Sequence, residues 1–155
     1  MATEGMTPEQ VAEWMRAEHR ALVKLNKVLQ HHLAAADELG TPKWLEGLRI
    51  GFERLRAHLS RHFAAQEAGG YLNLVTERRP TLSPQVEQLR RAHDEILKLA
   101  DWIMRDLAQT SGDERLVAAD LGARVQRFIE LVRQHERDEN TLTLLALNQD
   151  LGGMD

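Results

Sequence analysis

The chain has 155 residues, enough for one domain that buries about two-thirds of the surface its unfolded form exposes. With 24 acidic residues interspersed among 20 basic ones it carries no basic stripe for nucleic acid, and it has no apolar run long enough for a membrane span and no leader-like start. Without cysteine there are neither disulfides nor thiolate sites, so any metal must sit on nitrogen and oxygen, and a soluble cytoplasmic protein is the expectation.

The abundance of Ala, Leu, Glu, Arg and Gln favours helix, and Gly, Pro and capping residues divide the chain into four segments. "TPEQ" at 7–10 reads as a capping box of Thr7 with Gln10, with Pro8 at the first helical position. "GTP" at 40–42 ends helix 1 at Gly40 and starts helix 2 with Thr41 as cap. "RRPTLSP" at 78–84 closes helix 2 and caps helix 3 with Ser83. "SGD" at 111–113 separates helix 3 from helix 4, with Asp113 as the cap, and the tail "LGGMD" is expected to fray. The adjacent glycines in "AGGY" at 68–71 are an internal irregularity that can end or bend helix 2. Short connections between long segments predict an all-α, up-down-up-down antiparallel four-helix bundle, one domain over 1–155 with its core at about 8–147.

Each segment places one histidine on its apolar arc: His19 beside Met15 and Leu22, His62 after Leu55 and Leu59, His93 between Leu89 and Ile96, and His135 after Phe128 and Val132. Counting from the loops brings the four to one depth, to within about a turn. Gln66 follows His62 by four residues and Glu139 follows His135 by four, so each shares its histidine's face. Four imidazoles, a carboxylate and an amide in one apolar layer would be costly without a partner, and a bound cation is the partner expected. Among the remaining candidates, His31 and His32 read as surface residues and His58, in "HLSRH", as a boundary residue. Tyr71 faces the wrong way unless the glycines rotate it inward, and Trp14, Trp44 and Trp102 read as packing or rim residues.

His19 in "AEHRAL", His62 in "HFAAQE", His93 in "RRAHDEIL" and His135 with Glu139 in "QHERDEN" resemble the hemerythrin-like family, in particular its HHE cation-binding branch. The resemblance implies a non-haem di-iron site that serves a small diatomic ligand or peroxide, or senses oxygen or iron. It implies His19, His62, His93, His135 and Glu139 as ligands, with Glu139 as a bridge. It also implies an acid at position 66, where this chain has Gln66, expected to be a weak ligand or a hydrogen-bonding neighbour. Oxygen carriers of the family have a further histidine where Leu97 stands and their helix 4 acid where Asn140 stands, so a sensor, scavenger or peroxide-handling protein fits better.

With Glu139 as the only well-placed acid, the ion nearer His93, His135 and Glu139 is expected to be held better and the second more weakly. Glu67 is a possible substitute acid if Gly69 and Gly70 distort the helix. Manganese or zinc could occupy the same atoms. A metal-free interaction module and a mononuclear-zinc transferase are the readings of other classes.

Overall fold

Thr7 caps the first helix as its sequence predicts: its hydroxyl accepts from the Gln10 amide at 3.2 Å, and the Gln10 side chain accepts from Thr7 N–H at 2.9 Å. The computed structural model describes residues 5–68 and 70–152, and these contain helices and no strand. The α-helices are α1 (Pro8–Leu33), α2 (Ala36–Leu39), α3 (Thr41–Ala68), α4 (Tyr71–Arg78), α5 (Ser83–Gln109) and α6 (Arg115–Leu147), with a 3-10 turn at Pro80–Leu82. The long helices α1, α3, α5 and α6 pack as a helical bundle. None of the described helices is long and apolar enough to cross a membrane.

Helix 1 does not run on to Gly40. The Trp44 indole donates to the His32 carbonyl at 2.9 Å, and that oxygen also accepts from the Ala35 amide at 3.0 Å, where a continuous helix would bond Ala36. The helix therefore breaks at Ala34–Ala35 before α2. Gly40, at φ +79°, then turns the chain and accepts from Trp44 N–H, so Thr41 is the first residue of α3 and not its cap.

His32 is a further correction. Its Nε2 contacts the Trp44 carbonyl at 2.7 Å, and its ring lies nearly parallel to the indole, so it joins α1 to α3 instead of facing solvent. A side chain at Gly47 would strike that ring, which explains the glycine there. His32→Ala should lower stability by about 1–2 kcal/mol, read as a denaturant midpoint, and leave metal content unchanged.

Two other caps differ from expectation. The Ser83 hydroxyl donates to the Pro80 carbonyl at 2.7 Å, within the 3-10 turn, and α6 starts at Arg115 after Glu114 with no side-chain cap from Asp113. Helix α3 ends at Ala68. Gly70 at φ +96° redirects the chain into α4 and turns Tyr71 fully inward, while Gly69 lies outside the described residues. The tail is also ordered further than expected. Asn148 adopts the left-handed conformation, and the chain returns so that Leu151 is buried, its N–H donating to Asn140 Oδ1 at 2.8 Å. Residues 153–155 of the tail lie outside the described residues.

Buried apolar residues form two clusters with the histidine layer between them. Leu22, Leu59, Phe63, Ile96 and Val132 belong to the larger, and Met15, Tyr71, Val86 and Leu142 to the smaller. Polar side chains in that layer are thereby sealed on both sides.

Candidate metal centre

Four helices each bring one histidine to the layer, and the structure assembles all four predicted rings. His19 from α1, His62 from α3, His93 from α5 and His135 from α6 are all buried, as are Gln66 and Glu139. The Glu139 carboxylate stands in the middle. Its Oε2 lies 3.0 Å from His19 Nε2 and 3.7 Å from His62 Nε2, while its Oε1 lies 2.9 Å from His135 Nε2 and 3.8 Å from His93 Nε2. One carboxylate thus faces two pairs of imidazoles through different oxygens.

Glu136 was not anticipated. It is buried against His19, its Oε2 in contact with His19 Nε2. Two convergent donor groups result: His19, His62, Glu136 and Glu139, and His93, His135 and Glu139. Glu139 is therefore not the only well-placed acid. The second acid stands on the His19 side, opposite to the side expected to hold an ion better.

A signal for Glu136 was present in the spacing. Along α6 the buried positions come in adjacent pairs every seven residues: Leu121–Gly122, Phe128–Ile129, His135–Glu136 and Leu142–Thr143. The buried arc of α6 is wider than a single stripe, and Glu136 is also three residues before Glu139, on a neighbouring face.

Two of the outer nitrogens face acids. His93 Nδ1–H donates to Glu67 at 2.9 Å, and His62 Nδ1 faces Glu18 at 3.9 Å. A ring held this way turns Nε2 inward. Glu67 accordingly belongs to neither donor group: α3 remains α-helical through Ala68, and no bulge swings Glu67 into the core. Gln66 donates through Nε2 to Glu139 Oε1 at 2.9 Å and to Met15 Sδ at 3.4 Å. Its own Oε1 is buried without a partner.

Aromatic rings complete the walls. Phe63 stacks on His93 with centroids 4.0 Å apart, and Trp14 stacks on His62 at 5.5 Å. His58 stacks on His62 from the outer side and lies 3.6 Å from Glu18, outside both donor groups. Tyr71, unpredicted here, bonds Thr143 at 2.7 Å, and burial together with Glu139 pushes its phenol well up, so it stays protonated.

Inward-facing donor atoms remain unsatisfied. Nε2 of His62 and His93, Glu136 Oε1 and Gln66 Oε1 are buried with no hydrogen-bond partner among the described residues. Orphaned groups converging this closely are what a cation would satisfy. Nitrogen and carboxylate donors without thiolate fit iron, manganese or zinc.

Without a cation, protons take its place. Burial pushes His19 and His62 down, but Glu136 and Glu139 beside His19, and Glu139 with Glu18 beside His62, reverse this and raise them to about 9 and about 10. Burial pushes Glu139 up, yet His135, His19 and His62 hold it well below the usual carboxylate range.

Because both histidines lie above their ordinary value of 6.5, their charge stabilises the metal-free fold fully below that pH. The contribution is lost as pH rises through about 9 to 10. Cation binding needs the neutral rings and releases those protons, so affinity should rise over the same window. The melting-temperature gap between metal-loaded and metal-free protein should therefore widen from about pH 6.5 to about pH 9. A gap that narrows would contradict this reading.

A family model described as the hemerythrin HHE cation-binding domain matches residues 10–146. No curated protein and no solved structure matches the chain.

Proposed function

The chain belongs to the hemerythrin HHE cation-binding domain family, and from that premise we propose that it holds two iron ions in a buried site and uses them to bind, process or sense a small ligand such as oxygen, nitric oxide or peroxide. The observation that carries this reading is the placement of Glu139, whose two oxygens face separate imidazole pairs with unsatisfied nitrogens. In this reading His19, His62, Glu136 and Glu139 Oε2 hold one ion, and His93, His135 and Glu139 Oε1 hold the other.

We also read the four long helices as an up-down-up-down antiparallel bundle forming one domain over the chain. In support, a Cβ at Gly122 would lie 2.7 Å from Trp44, and one at Gly112 would lie 2.8 Å from Pro42. The α5–α6 connection and the start of α6 thus stand beside the start of α3.

Bound iron would supply reversible electron transfer and an open coordination position. The protein's own residues set the rest. Two carboxylates serve the His19 side and only a shared one the His93 side, so His93, His135 and Glu139 would hold a second ion with fewer donors and less charge. A cleft of about 350 Å³ between α5 and α6 reaches His135 and is lined by Leu82, Leu89, Leu142 and Leu145 with Gln85 and Gln88. Asp138 and Thr141 also line it, so the cleft offers a small molecule both apolar surface and polar groups on its way to His135. Leu22, Leu59, Ile96 and Val132, all buried, close the layer from the opposite side.

The test is the absorption spectrum of the reduced, iron-loaded protein before and after exposure to oxygen, nitric oxide or peroxide. A change that Glu139→Ala abolishes is expected. An iron-loaded protein inert to all three ligands would overturn the small-ligand reading.

A further inference from the structure

Four cations lie along one side of α1: Arg16, Arg20, Lys24 and Lys27 fall within an arc of about 80° on the helix. They line a cleft of about 360 Å³ together with Val23, Leu151 and His19, one of the rings of the buried layer. Such a concentration of positive charge is unusual in a chain whose net charge is −4.

Local acids leave most of that charge uncompensated. Glu13 is 3.2 Å from Arg16 and 3.7 Å from Arg20, and Arg16 also donates to the Asp150 carbonyl at 3.0 Å. Lys24 and Lys27 are exposed and have no acidic partner among the described residues. The cleft also ends at a ring with an unmet need. His93 Nδ1 bonds Glu67 and His62 Nδ1 has Glu18 at 3.9 Å, whereas Nδ1 of His19 is buried with neither a hydrogen-bond partner nor a facing acid among the described residues.

We propose that this cleft binds a small carboxylate or phosphate anion, held by Arg20, Lys24 and Lys27 against the outer side of His19. Guanidinium and ammonium groups bind such oxyanions through charge-assisted hydrogen bonds, and Val23 with Leu151 gives the carbon portion of a short carboxylate an apolar surface. The anion has a second consequence, which rests on the proposed metal site. Two divalent ions facing only Glu136 and Glu139 leave net positive charge in the core, and an anion one imidazole away offsets part of it. Cation and anion binding then strengthen each other by the same factor.

Titration of the metal-free protein with inorganic phosphate and with acetate, at ionic strength held constant with chloride and followed by backbone NMR, tests the cleft alone. Saturable shifts centred on residues 16–27 and Leu151 are expected. The doubly substituted Lys24→Gln, Lys27→Gln protein, altered only at exposed positions, should bind roughly tenfold more weakly or worse. Absence of saturable shifts, or equal affinity in the variant, would overturn the proposal. Repeating the acetate titration on zinc-loaded protein should give tighter binding, and equal or weaker binding there would refute the coupling. A protein that takes up no metal would refute the metal site, while the metal-free titration would still decide the cleft.

Discussion

Replacing Glu139 with alanine is expected to strip the purified protein of its metal and to destabilise even the metal-free chain by roughly 3–5 kcal/mol. Two separate effects combine there. Both donor groups use this carboxylate, so neither keeps a full set of ligands without it. In the metal-free protein the same carboxylate lies against His135 and His19 and faces His62, and its loss strands buried positive charge. Glu139→Gln loses the bridge and the charge alike but preserves volume, so it separates both effects from the cavity that alanine leaves. Metal analysis and denaturant midpoints of both variants are the measurements, and two ions retained in Glu139→Ala would refute the bridge.

The second large effect is expected at Gln66, and its sign should depend on the metal. In the metal-free protein, Gln66→Glu exchanges a donor 2.9 Å from Glu139 Oε1 for a second carboxylate. Two buried carboxylates that close cannot both ionise freely, and the hydrogen bond becomes a repulsion that should lower the melting temperature. With cations present the same substitution adds a bridging acid and a negative charge where only Glu136 and Glu139 now oppose two divalent ions. Metal content should rise toward two per chain, and the loaded variant should melt higher than the loaded parent. Calorimetry on both forms reads the two signs, and a shift of the same sign in each would show that Gln66 does not neighbour the ions.

The glutamine therefore explains itself as a donor. It orients the carboxylate that both imidazole pairs face, at the cost of leaving its own oxygen unpaired. That role was only partly legible in the sequence. Helical periodicity identified His19, His62, His93, His135, Gln66 and Glu139, because each shares an arc with leucines, isoleucines and valines that must be buried.

Glu136 was not legible in the same way. It lies about 100° from His135, outside a single stripe, and only the paired burial pattern of α6 exposes it. The consequence reached beyond one residue, since the acid on the His19 side reverses which ion should bind more tightly.

Loop signals fared similarly. Thr7 with Gln10 and the glycine at 40 act as their residue types predict, since their effects are local. Asp113 and Ser83 do not cap, and the break after Leu33 depends on an indole eleven positions further along the chain. Tyr71 depended on a helix break whose direction no local rule gives. The return of Leu151 to the bundle depended on Asn140, 11 residues away in sequence.

Metal analysis of protein purified without added metal, repeated after anaerobic addition of ferrous iron and paired with the melting temperature before and after chelation, tests the central claim most directly. The account predicts stoichiometry that reaches two ions per chain, with one removed by chelator before the other, and a melting temperature that falls as each is lost. A chain that takes up no iron, manganese or zinc, and whose melting temperature none of them moves, would contradict it.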